Sequence, residues 1–263
     1  MRLVVWPYKI TSVAAKLLAK ELGVLRVRSN GAFIPRAGDI ILNYGNASAA
    51  PWFKYLDDSI LMLNPPDRVR DACNKLRTFN LLSSQGIPVP QFTTDVNVAK
   101  QFLSGKARDD NGFPRLQKCF CRARIAGSGG DGIIIASSPL AIVTAPLYTD
   151  GLHITNEYRV HVLGNEPLEV VAKRRRNGAR KSLIKSWGNG YVFCRRNVPH
   201  HRNVINAAVA AVNILGLTFG AVDVAYNKDT NSVAVLEVNT APGIEGTTVG
   251  QYAIGLTNYI NSI

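Results

Sequence analysis

Residues 233–246, VAVLEVNTAPGIEG, constrain this chain more than any other stretch. An apolar run of strand length delivers one carboxylate and one side-chain amide, then stops at Pro242-Gly243. Side chains alternate between the faces of a strand, so Glu237 and Asn239 point the same way. Residues 220–226, GAVDVAY, form a second apolar run interrupted by a single acid, Asp223. The link between them, NKDTNS, is turn chemistry. Folding the two strands into an antiparallel hairpin sets Asp223 roughly opposite Glu237. An unpaired charge inside an apolar strand is costly, and a bound cation removes the cost. Hard oxygen donors suit Mg²⁺, so Asp223, Glu237 and Asn239 are the expected metal ligands.

The rest of the chain reads as alternating elements. Strands at 2–6 and 39–43 flank a helix over 12–22 that Gly23 stops, with a short strand at 24–27. This is a small α/β unit spanning residues 1–63. Asn43-Tyr44-Gly45-Asn46 follows its last strand, where ligands often sit. Asn64-Pro65-Pro66 breaks the chain, and Asp67 is the expected N-cap of one helix carrying Val69, Ala72, Cys73, Leu76, Phe79 and Leu82. Gly86 ends it. Strands follow at 116–121 and 133–136, then a pair at 157–162 and 167–173. Helices are expected over 203–215 and 249–261.

Composition narrows the classes. With 263 residues and 46% apolar content the chain can bury a large core. It holds no run of 18 apolar residues, so no membrane span is expected. The start, MRLVVWP, reads as a first strand and not as a signal peptide. The four cysteines read as reduced thiols, and the expected location is the cytoplasm. A net charge of +13 implies an acidic partner, a polyphosphate or nucleic acid. The densest basic run is KRRR at 173–176, followed by Arg180 and Lys181. Nucleic acid is not favoured, because aromatics make up only 8% and do not interleave with a basic stripe. His161 alternates with apolar residues on a strand and reads as structural.

Residues 127–132, GSGGDG, satisfy the spacing G-x-G-x-x-G. The run IIIA that follows is a strand and not the helix a dinucleotide fold requires, and no P-loop motif is present. A glycine-rich turn between two strands can instead lay backbone N–H groups over phosphates. Lys118, Arg122 and Arg124 precede the turn, and Lys75 sits on the preceding helix.

Together these motifs resemble the ATP-grasp superfamily of carboxylate–amine ligases, and most of all the ribosomal-protein glutamate ligases and their phage and bacterial relatives. The resemblance covers residues 64–263 and rests on the Lys75 helix with its Gly86-Ile87-Pro88 exit, residues 127–133, Glu157-Tyr158-Arg159-Val160, Asp223, and Glu237-x-Asn239-x-x-Pro242-Gly243-x-Glu245-Gly246. It implies an α/β fold in which two subdomains, 64–145 and 146–263, clasp ATP behind the small N-terminal α/β domain of residues 1–63. It implies that Lys75, Arg122, Gly127, Ser128, Gly129, Gly130, Leu147 and Glu157 bind the nucleotide, with Leu147 in an adenine-binding hinge at 145–148. It further implies that Arg159 and Lys173 are catalytic, and that the metal-binding set holds two Mg²⁺ ions, replaceable by Mn²⁺. The family's Lys shortly before the flap is missing here; Arg122 is taken for it, with Arg124 and Lys118 as alternatives. Residues 180–197 do not match the family's substrate-side loop, which leaves Lys173 and Asn189 as acceptor-site candidates.

The implied activity is ATP-dependent amide formation through an acyl phosphate, joining an amino acid such as glutamate to an acidic peptide, protein or small molecule. The partners are then a carboxylate and an amine, at least one of them acidic, with no membrane and with homo-oligomers common in the superfamily. Two other readings stay open: a small-molecule kinase on the same fold, and a non-catalytic basic nucleic-acid-binding protein.

Overall fold

The computed structural model describes residues 2–104, 107–127 and 129–263. Three sheets organise the described residues. The first holds β1 (Arg2–Pro7), β2 (Leu25–Arg26), β3 (Asp39–Tyr44) and β4 (Leu61–Leu63) in the order β2-β1-β3-β4, all parallel. Helix α1 (Val13–Glu21) crosses between β1 and β2; the Ser12 hydroxyl caps it by accepting from the Ala15 N–H. Asn64, at the unit's exit, donates to the Phe219 carbonyl and accepts from the Thr218 N–H, which ties the unit to the last sheet.

The helix expected from Asp67 onward is two helices, α2 (Pro66–Cys73) and α3 (Lys75–Ser84). Pro65 occupies the N-cap of α2 and Asp67 lies in its first turn, because Pro66 presets the helical φ one residue earlier than the sequence suggests. Asn74 is extended, and its side chain accepts from the Arg77 N–H to start α3. The Lys75 N–H donates to the Ile125 carbonyl instead of continuing α2.

The second sheet contains β5 (Phe92–Thr93), β6 (Arg115–Arg122), β7 (Ile133–Ala136) and β8 (Leu147–Leu152) in the order β5-β8-β6-β7, with α4 (Val96–Lys100) beside it. β8 follows residue 146 in the chain yet pairs with β5 and β6. The third sheet is antiparallel, in the order β11-β10-β9-β12-β13. Its strands are β9 (Asn156–Leu163), β10 (Glu166–Arg175), β11 (Tyr191–Cys194), β12 (Phe219–Asn227) and β13 (Ser232–Asn239). Tyr158, Val160, Val222, Val224 and Val235 on one face pack with α5 (Arg202–Ile214) and with Phe79 and Leu82 of α3 in the largest hydrophobic core. α6 (Thr247–Asn261) packs against α1 and the first sheet through Val249, Tyr252 and Leu256. Among the described residues no helix is long and apolar enough to cross a membrane.

Candidate active site

The face of the third sheet turned away from α5 carries charge. Alternation along β9 buries Tyr158 and Val160 and leaves Glu157 and Arg159 on the other side. The register sets Asp223 between Arg159 on β9 and Glu237 on β13. β13 reaches this register through a bulge: Asp223 pairs with Glu237 and Val224 with Val235, so Leu236 is the extra residue. Val233, Val235 and Val238 pack toward α5, while Leu236, Glu237 and Asn239 line a cavity of about 530 Å³.

That cavity lies between the second and third sheets and gathers most of the expected residues. Lys75, Arg122, Gly127, Gly129, Gly130, Glu157, Arg159, Lys173, Asp223, Glu237 and Asn239 all line it. The break at Asn74 makes Lys75 the first residue of α3, where its Nζ donates to the Gly127 carbonyl at 3.1 Å and pairs with Glu237 at 3.3 Å. Arg159 holds Asp223 with both prongs, Nε to Oδ1 at 2.6 Å and Nη2 to Oδ2 at 3.0 Å. Lys173 pairs with Glu157 and lies 3.3 Å from Asp223.

These pairings set the electrostatics. Burial alone would raise the Asp223 carboxyl, but Arg159 and Lys173 outweigh it and hold Asp223 far below the usual carboxylate range. Burial works against the Arg159 and Lys173 cations; Asp223 foremost offsets it for Arg159, and Asp223 together with Glu157 offsets it for Lys173, so both are raised. Glu157 is pushed up by burial against the pull of Lys173. Burial brings the Arg122 guanidinium down to about 10, against the pull of Glu237, and its Nε donates to the Thr149 hydroxyl.

Several expectations need correction or fall elsewhere. The Leu147 side chain is fully buried in the core that holds Phe79 and Tyr158, which leaves only its backbone for a hinge role, and the later residues Thr149, Asp150, Leu152 and His153 line the cavity. Lys118 donates to the Ser137 hydroxyl at 2.7 Å, while Arg122 and Arg124 line the cavity. Asn189 staples its own loop, donating to the Ile184 carbonyl at 2.8 Å, and does not reach the cavity wall. Ser128 lies outside the described residues. His161 is buried, bonded through Nδ1 to the Tyr252 hydroxyl at 3.1 Å, in keeping with a structural role.

Other lining residues had no signal in the sequence. Leu183, Ile184, Lys185 and Trp187 come from the loop between β10 and β11, and Phe193 from β11 itself. Burial lowers the Lys185 ammonium, which lies near Glu157. The fold places this loop against the glycine flap: a Cβ built on Gly130 would lie 2.2 Å from Ile184 Cγ2.

The donor chemistry of the site suits a divalent cation. Among the described residues no three His, Cys, Asp or Glu side chains converge as a metal-binding group. The set here is two carboxylates and one amide, all hard oxygen donors facing one cavity, which fits Mg²⁺. Each carboxylate faces a protein cation, Glu237 facing Lys75 and Asp223 facing Arg159 and Lys173.

No family model matches the chain. It is 29% identical over 233 residues to a probable alpha-L-glutamate ligase of Klebsiella pneumoniae (strain 342), covering 83% of this chain and 72% of the relative. It is 28% identical over 227 residues to the ribosomal protein bS6–L-glutamate ligase of Salmonella paratyphi B, covering 82% and 70%. Among solved structures it is similar to the ATP-grasp ligase PsnB complexed with minimal precursor, with a TM-score of 0.69, 13% identity and 98% of each chain covered. At that identity the structural likeness speaks for the fold.

Proposed function

This chain belongs to the ATP-grasp carboxylate–amine ligases, and on that premise we propose that it joins a carboxylate to an amine at the expense of ATP, with glutamate as a candidate amino acid. The observation that carries the reading is the Asp223–Glu237 cross-strand pair set among Lys75, Arg122, Arg159 and Lys173 on the wall of one cavity. A carboxylate acylates poorly because oxide does not leave. Transfer of the γ-phosphoryl group to it yields ADP and an acyl phosphate. Attack by the amine then forms the amide, expels inorganic phosphate and releases the amine proton.

The residues divide this work. Lys75 and Arg122 hold phosphate oxygens, helped by backbone N–H groups of the glycine flap. Arg159 and Lys173 supply fixed positive charge where the transferred phosphoryl develops negative charge. The flap, seated against Ile184, excludes water that would hydrolyse the acyl phosphate. Asp223, Glu237 and Asn239 would hold Mg²⁺, as two ions or with Mn²⁺ in its place. When bound, the metal neutralises phosphate charge that repels the incoming carboxylate. The working units are residues 1–63, 64–145 and 146–263, with β8 lending its strand to the middle sheet.

An acidic partner follows from where the charge lies. Residues 166–202 carry ten of the 31 Lys and Arg but only two of the 18 acids, and the loop within them forms part of the cavity wall. The test is ADP and phosphate release with Mg·ATP, screened over amino acids and acidic peptides, with mass spectrometry of the products and E237A as control. A condensed product, abolished in E237A and formed with a KM for the acidic acceptor that rises with KCl, is the expected outcome. A stable phosphorylated product would make the protein a kinase, and a salt-insensitive KM would remove the acidic partner.

A further inference from the structure

We infer that Phe193 is a positioning residue for Arg159 and Lys173, an assignment that rests on the ligase reading above. Phe193 stands on β11 directly across from Lys173. Its ring centroid lies 4.3 Å from the Arg159 Cζ and 5.5 Å from the Lys173 Nζ. One aromatic ring therefore serves two cations that come from two neighbouring strands. Core packing does not ask for an aromatic here: Phe193 is 36% exposed, lines the cavity and joins none of the hydrophobic core clusters among the described residues.

The chemistry gives the ring a task that the carboxylates cannot perform. Asp223 binds Arg159 and lies against Lys173, and Glu157 binds Lys173. In the proposed reaction Asp223 would also hold the metal, and its hold on both cations would weaken when they are needed at the transferred phosphoryl group. An aromatic ring attracts a cation through its quadrupole and offers no oxygen to a hard metal ion. Its grip on Arg159 and Lys173 therefore persists through the exchange. The ring also limits the rotamers these long side chains can adopt, which lowers the entropy lost on meeting the phosphoryl oxygens.

The test compares F193L and F193W with the parent chain. Calorimetry measures binding of Mg·ADP alone and of Mg·ADP with aluminium fluoride, which stands in for the phosphoryl group in flight. F193L is expected to bind Mg·ADP within about twofold of the parent and Mg·ADP with aluminium fluoride about tenfold more weakly, equivalent to about 1.4 kcal/mol. F193W is expected to restore that binding to within about threefold, because its ring also attracts cations. A ligand-free readout accompanies these: the ring-current shift of the Arg159 Nε–H proton resonance should vanish in F193L and return in F193W. Should F193L fail to fold, F193M takes its place. Unchanged aluminium fluoride affinity in F193L, an equal loss of Mg·ADP binding, or no recovery in F193W would each overturn the assignment and leave the ligase reading standing. A parent chain that binds no Mg·ADP would remove the ligase reading, and this assignment with it.

Discussion

Asp223→Asn removes one charge and almost no volume, so its cost reports on the cation clamp at the centre of the site. Asp223 accepts from Arg159 at 2.6 and 3.0 Å and from Lys173 at 3.3 Å. The two cations are nearly as buried as the acid: side-chain exposures are 13% for Arg159, 11% for Lys173 and 6% for Asp223. Removing one partner of a buried pair leaves an uncompensated charge, at about 3–5 kcal/mol. Lys173 keeps Glu157, and both cations keep the Phe193 ring, so a loss near about 3 kcal/mol is expected. Urea unfolding at neutral pH reads it as a lower midpoint. Combining D223N with R159M removes the orphaned cation and should regain about 1–2 kcal/mol over D223N alone, a non-additivity that isolates the pair. A D223N midpoint within about 0.5 kcal/mol of the parent, or a double variant weaker than the sum of both singles, would refute the reasoning.

Two further perturbations probe the surroundings. Burial, reinforced by Arg159, brings the His161 imidazole down to about 3, so the folded protein binds that proton more weakly than the unfolded chain. The stability this contributes is complete above the ordinary histidine range and drains away as pH falls toward 3. The parent should lose about 2.5 kcal/mol relative to H161N between pH 6 and pH 4, and parallel stability curves would contradict this. Gly130 has φ +80° and no room for a Cβ beside Ile184, so G130A should displace the flap. Its apparent affinity for Mg·ATP should fall about fivefold with little change in melting temperature, and adding I184A should recover part of the loss; an unaltered affinity would show that the flap does not seat there.

Much of the site could be read from the chain because its signals are local. The 220–239 hairpin announces itself through two apolar runs and a polar link, and strand pairing then sets Asp223 against Glu237. The break that aims Lys75 was not legible: helical spacing runs on through Asn74, and it takes the hydrogen bond from the Lys75 N–H to Ile125, fifty residues away, together with the Asn74 cap, to end one helix and begin the next. The burial of the Leu147 side chain was not legible either, because an apolar residue at a strand start suits a core and an exposed edge equally well until neighbours such as Phe79 and Tyr158 enclose it. Phe193 carried no signal, since an aromatic in a short strand is ordinary until two cations stand over it.

The sequence by itself determined which residues carry oxygen donors, which carry positive charge and where the glycine turn falls, because strand period and turn chemistry act over a few residues. The tertiary structure alone decided which cation faces which carboxylate. That depends on β9 lying beside β12 and β10 beside β9, and on a bulge that turns Glu237 to the cavity where strict alternation from Val233 and Val235 would have turned it toward α5. Strand order and bulges are settled by burying one whole face of the sheet against a helix, a balance made over the entire fold and written in no single stretch of the chain.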